Sequence, residues 1–324
     1  MKKNMPHRGF LTIVFTTAII SITLLPYCKK SSVARGTTDV GSADPGEVSI
    51  NATAGLGNGV NLQPSYYNGG NPTIGWSLMK QQSKIKTVRI EIEPGYVSQA
   101  KNWISQARSN GYAVIATYHK ASVLGSDNTG ELNAAANWWV SNYSNLASAG
   151  SFTINLMNEW GSHNLSANAY ASAYNTAIST VRRVYSGAII IDASGWGQET
   201  AIAAAAAKGT NGTKITDGNY ILSAHIYPGS WNQGKGRYVN TSDIDDMASS
   251  GRPCMIGEFG NSGGSGADWS AIVDYARIKG WTVLGWAWNG DGGSMNMVTP
   301  SWASNGSATS FSLSSYFNVV YSKL

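Results

Sequence analysis

Charge is scarce in this sequence. Only 13% of its 324 residues are Asp, Glu, Lys or Arg, about half the share of an ordinary soluble domain. Ser, Asn, Thr, Gly and Gln must therefore cover the surface, which suits a protein that works outside the cell. Cysteine is nearly absent, with only Cys28 and Cys254, so a disulfide-stapled scaffold is excluded. Cys254 stands in the apolar run Cys254-Met255-Ile256 and reads as a small buried hydrophobe. Long apolar runs are absent after Leu25, so no later segment is expected to span a bilayer.

Several reactive signatures are missing as well. No GxSxG nucleophile elbow is present. The four histidines, His7, His119, His163 and His225, do not pair at metal-binding spacing, so neither a metal nor a cofactor is expected. The glycines of GLGNG (Gly55, Gly57, Gly59) lie at a strand rather than opening a helix, which makes a poor nucleotide-binding signal. The formal net charge is +5, but Lys2, Lys3 and Arg8 fall in a segment that reads as removable, leaving about +2 and no Lys/Arg cluster. Nucleic acid is therefore excluded as a partner.

That removable segment is residues 1–27, read as a signal peptide. Lys2, Lys3 and Arg8 precede an apolar run from Phe10 to Leu25 that is short for a membrane span. Leu24-Leu25-Pro26-Tyr27-Cys28 resembles a bacterial lipoprotein box, with Tyr27 where a small residue is preferred. The resemblance implies lipidation of Cys28; ordinary signal cleavage and an uncleaved anchor are the alternatives. Residues 28–47 carry almost no large apolar side chain and read as a flexible tether. The globular domain is expected over 48–324, secreted or anchored to the cell envelope, monomeric, and touching a membrane only through an N-terminal lipid.

Within that domain, apolar runs fall near Gly57–Leu62, Thr87–Ile92, Ala113–Thr117, Phe152–Met157, Ala188–Ile191, Tyr220–Ile226, Pro253–Gly257 and Thr282–Trp286. Helical stretches lie between them, among them Val97–Asn110, Leu132–Ala147, Ala167–Val184 and Asp268–Lys279. Gly111, Gly187 and Gly280 stand where helix C-cap glycines belong. Eight strands recurring about every 32 residues predict an α/β fold, a single (β/α)₈ TIM barrel, over a doubly wound open sheet.

In such a barrel the chemistry sits where strands end. Glu159 and Glu258 each follow an apolar run directly, on the fourth and seventh strands, 99 residues apart. About three repeats separate them, so both face one barrel mouth from opposite sides. Burying an unpaired carboxylate is costly, and paired carboxylates across a cleft are what glycosidic cleavage requires. Arg89, His119, Asn158, His225, Tyr227 and Trp288 end neighbouring strands.

This set (Arg on strand two, His on three, Asn-Glu on four, His-x-Tyr on six, Glu on seven and Trp on eight) resembles glycoside hydrolase family 5. The likeness covers residues 55 to 300; Asn158-Glu159-Trp160, DASGWGQ (192–198), SAHIY and IGEFG resemble its bacterial endo-β-1,4-mannanases, whereas the tail from Ser294 matches less clearly. The resemblance implies a retaining hydrolase of mannan, glucomannan or galactomannan. Glu258 would be its nucleophile, kept ionised by Arg89 and oriented by Tyr227. Glu159 would be its acid/base, with Asn158 on the sugar 2-hydroxyl and His119 and His225 positioning hydroxyls and carboxylates. Trp288 would floor the sugar site, with Trp286 as its substitute. Trp160, Trp196 and Trp231 are candidate stacking platforms; Trp138 and Trp139 read as packing, and His163, four residues beyond Glu159, as an idle loop position, with the lining of a subsite as the alternative. An endo-β-1,4-glucanase of the same family is the rival, and a non-catalytic surface glycan-binding protein is the rival from another class.

Overall fold

The structure, a computed structural model, describes residues 55–210 and 212–324. The signal segment 1–27, the lipidation position Cys28 and the tether 28–47 lie outside the described residues.

The expected alternation is there. β1 is Gly59–Leu62, β2 Thr87–Ile92, β3 Ala113–Tyr118 and β4 Thr153–Asn155. β5 is Ile189–Asp192, β6 Tyr220–Ile226, β7 Cys254–Phe259 and β8 Thr282–Asn289. All pair in parallel with their neighbours in sequence, and β8 returns to β1, which closes a (β/α)₈ barrel. The helices behind them are α1 (Trp76–Lys80), α2 (Val97–Ser109), α3 (Thr129–Ala147) and α4 (Ala167–Val181). α5 (Thr200–Lys208), α6 (Thr241–Ala248), α7 (Trp269–Ile278) and α8 (Phe317–Tyr321) complete the ring.

Strand side chains alternate between the two faces, and this sorts the barrel into an apolar floor and a polar mouth. Ile115, Ile190, Ile221, Met255 and Leu284 share one interior cluster. Their chain neighbours Val114, Ala116, Ile189, Ile191, Leu222, Ile256 and Val283 pack outward with the helices. Two residues beyond the floor on β3, β5 and β6 stand Thr117, Asp192 and Ser223, all fully buried. On β2 the inward set is Thr87, Arg89 and Glu91. Apolar below and charged above, the interior leaves chemistry only at the C-terminal end.

Helix ends differ from expectation for local reasons. α3 begins three residues before Leu132, because Asn128 caps it by accepting a hydrogen bond from Gly130 N at 2.8 Å. α4 stops at Val181, not Val184: Arg182 turns back and donates to the carbonyls of Tyr185 and Gly187, at 3.1 and 2.6 Å. Gly111 and Gly280 take the left-handed conformation of a C-cap, with φ of 88° and 78°. Gly187 does not, because the arginine has taken over that function.

The segment from Ser294 closes one side of the barrel. Trp302 is 1% exposed, donates Nε1 to Thr73 O at 2.9 Å and its backbone N–H to Asn289 Oδ1 at 2.9 Å. Val320 of α8 lies where a Cβ on Gly285 would be, 2.1 Å away, so only glycine fits there. Among the described residues no helix is long and apolar enough to cross a membrane.

Candidate active site

The site is built around Arg89. Its guanidinium is 1% exposed and each of its three nitrogens is engaged. Nε bonds Asn155 Oδ1 at 3.0 Å, and Nη1 bonds Asn61 Oδ1, Glu91 Oε1 and Glu258 Oε1 at 2.9, 2.9 and 2.8 Å. Nη2 bonds Asn158 Oδ1 and lies 3.8 Å from Asp192 Oδ2. With Oδ1 of Asn158 committed to Arg89, the donor end of that amide is the end left to face the cleft. Burial alone would lower the guanidinium's proton affinity, but Glu258, Glu91 and Asp192 more than reverse it, so the cation is permanent.

Glu258 lies within β7. Besides Arg89 it accepts a hydrogen bond from Tyr227 Oη at 2.7 Å and lies 3.5 Å from His225 Nδ1. Burial pushes its carboxyl up; His225, Arg89 and the Tyr227 hydrogen bond outweigh this and hold it below the ordinary range. Its carboxylate is therefore held in the ionised form.

Glu159 lies four residues past β4, in a left-handed backbone conformation with φ of 49°, a conformation non-glycine residues take only when their surroundings hold it. Asp192 Oδ2 accepts from Glu159 N at 3.1 Å, and Gly125 N donates to its carbonyl at 2.8 Å. Its side chain meets His225, whose Nδ1 is 2.8 Å from Glu159 Oε1 and whose Nε2 is 3.6 Å from Asp192 Oδ1. His225 is fully buried. Burial lowers its proton affinity, but Glu258, Asp192 and Glu159 raise it well past the usual value, so it is an imidazolium bridging the two glutamates. Asp192, pushed up by burial but held by His225, Arg89 and Glu159 N, falls to about 2.

One oxygen from each of Glu159 and Glu258 and one nitrogen of His225 all lie within 4.8 Å of one another. Among the described residues this is the set that could reach a metal ion, but its donor atoms already face each other at hydrogen-bond or ion-pair distance. The arrangement suits two carboxyl groups acting on one bond between them.

His119, 4% exposed, stands on the other side of the mouth between two acids the sequence analysis did not single out. Its Nδ1 is 3.0 Å from Glu93 Oε1 and its Nε2 3.5 Å from Glu91 Oε2. Burial works against its charge, but Glu91 and Glu93 prevail and its proton affinity is raised. Tyr66 and Gln63, beyond β1, bond Glu93 and Glu91 respectively. The signal for both glutamates is the period of two in Arg89-Ile90-Glu91-Ile92-Glu93, which puts all three charged side chains on one face of β2 and its extension.

The tryptophans sort differently from expectation. Trp160 is fully buried, donates Nε1 to Asn128 O at 3.0 Å and packs on Tyr170 and Tyr174; it is core, not a stacking platform. Trp288 is also fully buried, with Nε1 on Ile74 O at 2.8 Å, so it cannot floor a sugar site. Trp286 is the partly exposed one, anchored to Asp291 Oδ1 at 3.0 Å. Alternation fails here because β8 slips against β1: Val60 faces Gly285 but Leu62 faces Asn289. Trp196 is 39% exposed and lines a cleft of ≈ 310 Å³ together with Glu159, Gln198, Tyr227, Ser230 and Met295. His163 is not idle: its ring lies 5.2 Å from that of Trp196, and Glu199 Oε1 holds its Nδ1 at 2.7 Å. Trp231 is half-buried, edge-on to Tyr238 in a short hairpin beyond β6. Trp139 is core, and Trp138 packs beside it. Cys254 is a buried free thiol whose proton burial holds on, to about 12.

A model of the cellulase family (glycosyl hydrolase family 5) matches residues 71–292. A mannan endo-1,4-beta-mannosidase of Streptomyces lividans is 27% identical over 227 residues, covering 65% of this chain and 57% of that protein. One of Cellvibrio japonicus (strain Ueda107) is 24% identical over 208 residues, covering 62% and 46%. The chain thus spans about half the length of the curated relatives it matches. Among solved structures, the β-mannanase from Thermomonospora fusca superposes with a TM-score of 0.64 at 23% identity, covering 83% of this chain and 89% of that one, a likeness of fold.

Proposed function

Since the chain belongs to glycosyl hydrolase family 5, we propose that it is a retaining endo-β-1,4-mannanase acting on mannan, glucomannan or galactomannan. The observation that carries the reading is the pair of carboxylates past β4 and within β7, an oxygen of each within 4.8 Å of the other, one clamped by Arg89 and Tyr227. Retaining enzymes need their two carboxyl groups about 5–5.5 Å apart, whereas inverting ones leave room for a water. Glu258 attacks the anomeric carbon while Glu159 gives its proton to the departing oxygen; Glu159 then takes a proton from the water that releases the sugar. Asn158 donates to the 2-hydroxyl, a contact that tightens as the ring flattens towards an oxocarbenium ion. The aglycone lies in the cleft floored by Trp196, whose exposed ring suits the apolar face of a pyranose. Mannan is preferred to glucan because both curated relatives carry that activity in their names.

The same reading places the enzyme outside the cytoplasm: residues 1–27 are the export signal, Cys28 takes a lipid, 28–47 is the tether and 48–324 the monomeric catalytic unit. Radiolabelled palmitate incorporation, lost in Cys28→Ser, tests the anchor.

Reducing-sugar release from mannan, with little from carboxymethylcellulose, is the expected result. NMR of the first product should show the β-anomer. Glu159→Ala should slow polymer cleavage by roughly 10²–10⁴-fold while sparing substrates whose leaving group needs no proton. Turnover of cellulose alone would make the enzyme a glucanase. Binding of mannan with no turnover, unchanged in Glu258→Ala, would make it a glycan-binding protein.

A further inference from the structure

Glu91 is a buried acid that the mechanism leaves without work. It is 1% exposed and lies beneath the cleft, yet it shares one nitrogen with the nucleophile. Arg89 Nη1 is 2.9 Å from Glu91 Oε1 and 2.8 Å from Glu258 Oε1, and also serves Asn61. A guanidinium nitrogen has two hydrogens for these three acceptors, so Glu91 and Glu258 compete for it. Their other contacts match in distance: Glu258 has the Tyr227 hydroxyl at 2.7 Å and the His225 ring at 3.5 Å, and Glu91 has the Gln63 amide at 2.7 Å and the His119 ring at 3.5 Å. Their burial differs, Glu91 being 1% exposed and Glu258 5%.

This pair and the groups that face it lie on or just past β1 to β7. Arg89 and Glu93 lie on Glu91's own strand and its extension, Gln63 past β1, and His119 past β3. Glu159 follows β4, Asp192 ends β5, His225 lies on β6 and Glu258 on β7. Of two like charges on one cation, the less well solvated takes the first proton, and here that is Glu91.

We propose that Glu91 is a positioning residue that sets the strength of the nucleophile by gaining or losing a proton, dividing Arg89 between two carboxylates when ionised and releasing it to Glu258 when neutral. The inference rests on Glu258 being the nucleophile. Ionised Glu91 leaves Glu258 less neutralised and therefore more basic. It also adds a negative charge near a reacting carbon that becomes positive, so the first chemical step quickens. Burial pushes the Glu91 carboxyl up, and despite the pull of His119 and Arg89 it stands at about 7, so the change falls within the pH range of ordinary assays.

The test uses a 2,4-dinitrophenyl β-mannobioside, whose leaving group departs without a proton. kcat/KM of the wild-type enzyme should rise roughly tenfold between pH 6 and 8, the size of a nearby unit charge felt through an intermediate dielectric. Glu91→Gln should be flat at the lower plateau, and Glu91→Asp should keep the rise. A rise that persists in Glu91→Gln, or a flat wild-type profile, overturns the proposal. Should Glu91→Gln fail to fold, ¹³C-carboxyl titration of Glu-labelled Glu159→Gln protein decides: a glutamate titrating near neutrality there supports it, and all glutamates titrating below pH 5 overturn it. If the wild-type enzyme hydrolyses neither this glycoside nor mannan, the failure belongs to the catalytic reading rather than to Glu91.

Discussion

Two tryptophans separated by one alanine carry opposite duties on β8. Trp288 fills the wall between the barrel and the segment beyond β1, with its indole nitrogen on Ile74 O. Trp286 reaches the open side and is held by Asp291 Oδ1, while Tyr316 donates to its carbonyl at 2.5 Å. Truncating a fully buried tryptophan costs about 3–5 kcal/mol, so Trp288→Ala should lower the melting temperature steeply and lose activity only through unfolding. Trp286→Ala removes a partly exposed face and should melt within a few degrees of wild type while KM for mannan rises at least several-fold. Calorimetry paired with steady-state kinetics separates the two; the reverse pattern would return the sugar floor to Trp288.

At the level of elements, the turn after β5 shapes the side of the cleft on which Trp196 stands beside Glu159. Over Ser194–Gly197 the chain coils left-handed at Gly195 and Trp196, with φ of 62° and 55°, and this throws the Trp196 ring out over Gly125, whose own missing side chain makes room for it. A Cβ on Gly195 would come within 2.4 Å of His163 Nδ1 and 2.9 Å of Glu199 Cγ. Gly195→Ala should therefore cost about 1–3 kcal/mol, readable as a lower melting temperature. It should also raise KM for the polymer more than for a short activated glycoside that does not reach Trp196; equal effects on both would mean the turn does not shape that side. Such a turn is visible in a sequence only as a glycine-rich patch, whereas the strands were legible because buried parallel strands are short, nearly continuous apolar runs. The position of Glu159 and Glu258 was legible for the same reason: an acid directly after an apolar run, on the fourth and on the seventh barrel unit, has one mouth to face. Glu91 was not, because an acid alternating with isoleucines looks like the solvated face of a strand until the barrel closes over it. The choice between Trp286 and Trp288 was not legible either, since it turns on a slip in register between β8 and β1 that no local pattern encodes.

Across the whole molecule, charge is scarce outside and crowded inside. With only 13% of residues charged, and exposed ion pairs worth little, the dependence of stability on pH is dominated by the buried cluster of Arg89, Glu91, His119, Asp192, His225 and Glu258. Asp192, at about 2 against an ordinary 3.8, and Glu258, held below 4.5, contribute stability that is complete above their ordinary values and lost as pH falls through the depressed ones. His225 and His119, raised above 6.5, contribute stability that is complete below that value and lost as pH climbs through the folded-state values. Glu91 acts in the same direction as the histidines, since a carboxyl raised from 4.5 to about 7 binds a proton more tightly folded than unfolded and costs stability as that interval is crossed upward. The melting temperature should therefore peak between about pH 4 and 6 and fall on both sides. Glu91→Gln, which has no proton to lose, should flatten the fall between pH 4.5 and 7 while leaving the acid flank of Asp192 and Glu258 in place. A peak at pH 8, or an alkaline flank identical in wild type and variant, would mean that surface charge rather than the barrel mouth governs stability.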